Sequence, residues 1–337
     1  MEVPLNKFIS FSKIYKRLFN SFIFFLVRNL IFILIFIFSS TSSKIEEYLR
    51  FKKFTRIYDS QIKMTIIGKG TKNILSNSYL INPSDVLVNE VSKRNSCTKA
   101  CQLDEDFNNV TLIFNDEINT WENMFNDLTS IKEIDLSKFD SSKITTMYRM
   151  FNGCTNLEKI IFGNINTSSV NNMKELFQNC KKLTSIDVSK FDTSQVTTMY
   201  RMFGFCESLE SLDVSNFNTS KVEDMFDMFG YCYKLVTINV SNFNTSHTKN
   251  MRGMFYHCYK LKYLDLSNFD ASQATTFLAF ITDCNSLVYV NLKSIKIGSI
   301  EISVFPSNLN CCIEDKNTKD LILGKNATSN CSDICFK

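Results

Sequence analysis

The sequence predicts an α/β repeat solenoid in which each unit is a short strand, a turn and a short helix. Three observations predict it. First, the chain repeats itself at a spacing of 26 residues, in seven units from about Ile113 to about Ser294. Met147, Met173, Met199, Met225, Met251 and Phe277 share one phase, and Cys154, Cys180, Cys206, Cys232, Cys258 and Cys284 another. Phe151 and Leu157 head two further columns with the same return. Second, "SKVEDMFDMFGYC" spaces Val222, Met225, Met228, Phe229 and Cys232 three or four apart, as on one helix face. Ser220 stands as an N-cap, with Glu223 placed as in a capping box. Third, "LESLDVSNF" sets Leu209, Leu212 and Val214 in an L-x-x-L-x-L pattern whose alternating end reads as a half-buried strand. No unit buries its stripe alone, so stacking has to supply one continuous core.

Composition excludes several classes. A net charge of +4 over 337 residues points to no nucleic-acid surface. His247 and His257 are the two histidines, which leaves little for metal or general-base chemistry. There is no G-x-S-x-G, no phosphate loop and no compact calcium loop, and the acidic residues lie in a line instead of facing across a cleft. No enzyme activity, cofactor or metal is expected.

Residues 1–43 carry Lys7, Lys13, Lys16 and Arg17 ahead of an apolar run from Phe22 to Phe38, broken at Arg28 and Asn29. Its unbroken part, "LIFILIFIF", is shorter than the roughly 20 residues that span a bilayer, and "SSTSS" follows at once. This reads as a secretory signal peptide, with an uncleaved signal anchor as the rival. Membrane contact is expected only through this segment if it stays uncleaved. Residues 44–110 form a flank and cap that open on the basic "KIEEYLRFKKFTRIYDSQIK" and hold Cys97 and Cys101. "VTLIFNDEINTWENMF" is a first unit one residue short. Residues 295–337 form a second cap with Cys311, Cys312, Cys331 and Cys335. An even count at each end suggests disulfide-locked caps, Cys97 with Cys101 at one end and any of three pairings at the other. The six cysteines of the repeats read as a column of small buried groups, because single thiols in a line do not converge on a metal. Disulfides between adjacent units remain open.

The pattern M-x-x-M-F-x-x-C-x-x-L-x-x-[IL]-[DN]-[VL]-S-x-F-[ND]-T-S, carried by "MYRMFGFCESLESLDVSNFNTS" from Met199 to Ser220 and by its neighbours, resembles the BspA-like leucine-rich repeat. The resemblance implies a curved solenoid with a parallel sheet on the concave face, short helices on the convex face, and binding or adhesion instead of catalysis. It also implies a secreted or cell-surface location. Phe217, Phe243 and Phe269 stand where many such repeats carry an asparagine ladder. "EKIIFGNINTSS" breaks two columns with Ile161 and Gly163, so irregularity is expected there.

The outward strand positions are the candidate ligand surface. One column holds Asp135, Asp187, Asp213, Asn239, Asp265 and Asn291, and its neighbour ends on Tyr263 and Tyr289, which offer area and a hydrogen-bonding tip. The plain alternative is that these polar residues solvate an open sheet. Asn166, Asn218 and Asn244 each begin "NTS" at one phase, and Asn109 and Asn326 begin "NVT" and "NAT". They are candidate glycosylation sites, or turn and cap formers. The expected function is extracellular binding of a protein or glycan partner through the concave sheet, with a signal-anchored, self-associating structural protein as the alternative.

Overall fold

A computed structural model describes residues 60–292 and, beyond them, the backbones of three short strands at 296–297, 310–312 and 331–332. All of these belong to the compact unit Tyr58–Lys337. The apolar N-terminal segment, the basic stretch before residue 60, Asn326 and Cys335 lie outside the described residues.

The described residues contain sixteen strands and no helix. The α/β solenoid of leucine-rich-repeat type is therefore overturned, and with it the convex-face helices. The chain is all-β. The segment chosen as a helix shows why. Asp227 and Tyr231 sit at φ 47° and 64°, in the left-handed region, and the same two columns recur at Arg201 and Phe205 and at Gly253 and His257. Two left-handed residues in each segment break any helix. The N–H groups of Met225, Asp227, Phe229 and Tyr231 instead donate to the carbonyls of Asn250, Arg252, Met254 and Tyr256 in the next coil, at 2.7–2.9 Å. Those of Met228, Gly230 and Cys232 turn back on the carbonyls of Met225, Asp227 and Phe229. Alternation of cross-coil and local bonds produces tight turns that bury residues three and four apart, which is also the signature of a helix. Ser220 and Glu223 are engaged elsewhere: the Ser220 N–H donates to Asn218 Oδ1, and Glu223 accepts from Lys249 Nζ of the next coil at 2.7 Å.

The expected continuous parallel sheet is also replaced. The N-terminal strands are β1 (Ser60–Ile67), β2 (Gly70–Asn73), β3 (Asp85–Val88), β4 (Val91–Ser92), β5 (Ala100–Leu103) and β6 (Phe107–Phe114). The repeats supply β7 (Ile131–Lys138), β8 (Lys159–Ile161), β9 (Ser211–Leu212), β10 (Thr237–Ile238), β11 (Tyr263–Asp265), β12 (Asp270–Ala271) and β13 (Tyr289–Asn291). Three more follow: β14 (Lys296–Ile297), β15 (Asn310–Cys312) and β16 (Cys331–Ser332). The first sheet, ordered β4-β3-β6-β1-β7-β8, is antiparallel except for β7 with β8. The second, β16-β15-β13-β11-β10-β9, is parallel throughout. Between them the coil around Ile186 forms no strand. That gap follows the unit where irregularity was expected. There Phe162 fills the column held by Val188 and Val214, and its ring meets Phe177 and Phe191 at 6.2 and 4.9 Å.

Antiparallel β1, paired on both sides by β6 and β7, joins the N-terminal sheet to the first coil. The Cys97–Cys101 disulfide ties β5 to the turn before it. Inside the coils, Phe125, Phe151, Phe177, Phe203, Phe229 and Phe255 form a stack of rings with centroids 5.4–5.8 Å apart. Each repeat cysteine is fully buried and is a free thiol. Its Sγ–H donates to a carbonyl of the preceding coil, as Cys232 does to Phe203 at 3.3 Å and Cys206 to Phe177 at 3.1 Å. The column is a hydrogen-bonded part of the core. These carbonyls also accept the N–H of their own coil's cysteine, as Phe203 does from Cys206 at 3.2 Å, so the thiol takes the second lone pair of an already paired group.

Candidate functional site

The open face of the first sheet carries a trough of about 840 Å³. Alternation along the strands builds it: Met64, Val110 and Ile134 point into the core, so their neighbours point out. Register then sets the rows. Leu87, Thr111, Lys63, Asp135 and Ile161 run across β3, β6, β1, β7 and β8, and Asn109, Thr65, Glu133 and Lys159 run beside them. Glu90 and Glu105 also line the trough, Glu90 from the β3–β4 turn. That turn has Asn89 and Glu90 at φ 49° and 69°, the conformation a two-residue hairpin demands. Asn89 Oδ1 accepts from the Asn109 N–H at 2.9 Å, which seats the turn against β6.

The trough gathers Asp135 and Asn109 from the predicted site residues. The other members of the predicted columns share a face but stay spread along the stack. Asp187 and Asp213 are exposed, and Tyr263 and Tyr289 are register partners on β11 and β13, as are Asp265 and Asn291. Tyr263 is 56% exposed. Burial, with the Asp265 charge second, raises the Tyr289 hydroxyl above its ordinary pKa. The acidic column has a local duty. Asp135, Asp187, Asp213, Asn239 and Asp265 each accept, through Oδ1, the N–H of the serine two residues on, at 2.8–3.1 Å. The Ser189 and Ser215 hydroxyls add to this and hold Asp187 and Asp213 below the usual carboxylate range. The plain alternative therefore accounts for one oxygen of each of these five side chains.

The three NTS asparagines are exposed at one turn. Their Oδ1 atoms accept the N–H and hydroxyl of the following Ser168, Ser220 and Ser246. The intervening Thr167, Thr219 and Thr245 are buried and donate to the next coil's Asp192, Asn244 and Asp270 carbonyls. Cys311 and Cys331 are register partners on β15 and β16.

Two ladders went unread in the sequence. Asn242 Nδ2 donates to the Ser215 carbonyl at 2.7 Å and the Phe217 carbonyl at 3.1 Å, with Asn216 and Asn268 in the same role. An asparagine ladder exists, one residue before the phenylalanines that had suggested its loss. The second joins Arg149 to Glu175 and Arg201 to Asp227 across coils. Its signal was available as alternating charge in the second residue after Met147, Met173, Met199 and Met225, where Arg149, Glu175, Arg201 and Asp227 stand. Among the described residues no group of three His, Cys, Asp or Glu could hold a metal.

Fold and site together define a coil-stacked repeat protein, helix-free over its described residues, with an open-faced N-terminal sheet. The chain belongs to the family described as "Mycoplasma protein of unknown function, DUF285", which matches residues 119–237 and 205–301. No curated protein and no solved structure matches it.

Proposed function

We propose that the protein is a non-catalytic binding module that receives a protein or glycan partner on the open face of its N-terminal sheet. The trough carries this reading: five strands converge to present charged and polar side chains over a buried apolar floor. Recognition would then be surface complementarity, with no bond made or broken. The Cys97–Cys101 disulfide favours an oxidising compartment for that encounter.

The test is a screen of the folded chain against a glycan array and a displayed peptide library, with Thr65→Trp as the comparison. Thr65 lies on β1 in the middle of the trough, so an indole there fills it without touching the core. Hits that vanish with Thr65→Trp but survive Asp213→Asn support the reading. Hits indifferent to Thr65→Trp overturn it.

A further inference from the structure

We propose that the trough takes an extended segment of a protein partner bearing Lys or Arg at alternate positions; this rests on the trough being the binding face. The charges come first. Glu90, Glu105, Glu133 and Asp135 line it against Lys63 and Lys159, four minus two, an acidic excess on a chain whose net charge is +4. Although Glu133 and Lys159 are register partners, as are Asp135 and Lys63, neither pair closes into an ion pair. Among the described residues, the side chains of Glu90, Glu105, Glu133, Lys63 and Lys159 have neither a salt bridge nor a hydrogen bond. Elsewhere the fold pairs its carboxylates readily, as at Glu207 with Lys181 and Glu223 with Lys249. Three open carboxylates beside a fourth that already accepts one N–H suit cationic side chains.

The spacing comes second. Alternate residues of a strand recur about every 6.8 Å, and Glu133 and Asp135 are alternate residues of β7. An extended segment lying along β7 therefore places its residues i and i+2 over these two carboxylates. Lys63 and Lys159 flank them on β1 and β8 and repel a segment shifted sideways by one strand. The lining chemistry comes third. None of the described residues that line the trough is aromatic, so they offer no platform for the apolar face of a sugar. That feature selects a charged peptide over a neutral glycan.

The experiment is fluorescence anisotropy of labelled peptides on the full chain, using one of alternating Ser and Lys, one of alternating Ser and Glu, and one of alternating Ser and Asn. The Ser/Lys peptide should bind, more weakly as salt rises. Glu105→Gln with Glu133→Gln should weaken it about tenfold, since two charge contacts together are worth about 1.4 kcal/mol. Lys63→Gln with Lys159→Gln should strengthen it. Asp116→Asn with Glu117→Gln, exposed acids outside the trough, should leave it unchanged. Equal binding of the Ser/Glu peptide overturns the proposal, as does an equal loss in the Asp116/Glu117 variant. A glycan that binds and is expelled by Thr65→Trp, with no Ser/Lys binding, sinks the cationic segment and leaves the binding face standing. If Thr65→Trp changes no binding at all, both fall.

Discussion

Arg201 donates from Nε and Nη2 to a single carboxylate oxygen of Asp227, 26 residues later, at 3.1 and 3.0 Å. Asp227 is 5% exposed and sits in the left-handed region. Burial raises its pKa and the Arg201 guanidinium partly opposes that rise. The guanidinium also lies over Phe226, 5.0 Å from the ring centroid. The pair thus closes the turn of one coil onto the next where a helix had been expected.

Removing the cation should be costly. Arg201→Met leaves a buried carboxylate without its partner and should destabilise the protein by about 2–3 kcal/mol, below the full buried-pair penalty because Arg201 is partly exposed. Adding Asp227→Asn should recover much of that loss. Urea denaturation of the two variants checks this; if the double variant is no better than the single, the carboxylate is not the cause.

Gly163 answers to geometry alone. It sits at φ +63°, and a Cβ there would lie 2.6 Å from the Ser137 Cα, which cannot move aside. Gly163→Ala should lower stability by about 2–4 kcal/mol, combining left-handed strain with overpacking. A melting temperature within a degree or so of the parent would contradict the close approach.

The thiol ladder should be chemically silent. Burial pushes Cys232 up to about 12 and Cys206 well above the ordinary thiol range. Maleimide should therefore label Cys154, Cys180, Cys206, Cys232 and Cys258 only as fast as the chain unfolds, read by mass after a timed quench. Cys232→Ala, which loses the bond to Phe203, should cost about 1–2 kcal/mol. Rapid labelling of mid-ladder positions in the native state would refute the placement.

The pH dependence has a definite sign. Asp187, Asp192 and Asp213 are held below 3.8, so their contribution is complete above that value and is lost as pH falls through the folded pKa. Asp227 runs the other way: its folded pKa is raised, so folding gains as pH falls toward 3.8. Asp213→Asn keeps the turn acceptor, as Asn239 shows, and removes the titration. Its urea midpoint should fall less steeply below about pH 4 than the parent's. Identical slopes would remove Asp213 from the account.

Much of the core was legible without coordinates. A spacing of 26 put Met225, Met228, Phe229 and Cys232 in columns, and all four are fully buried. The place where the strands fail was not legible: Ile161, which leaves its column, still pairs with Asp135 in β8, and the strandless coil is the next one, around Ile186. The sequence by itself determined the period and the buried set. It did not determine what backbone carries that set, because an apolar stripe at three and four residues satisfies a helix and a pair of left-handed turns equally. The choice lies with the N–H groups of residues such as Asp227 and Phe229, whose acceptors, Arg252 and Met254, belong to the next coil. The trough likewise depends on pairings between distant segments. Lys63 meets Asp135 only because β1 adds to β7, and no local pattern announces that register. Side-chain periodicity is local and can be read along the chain, whereas backbone hydrogen-bond partners and sheet neighbours are decided only when distant segments meet.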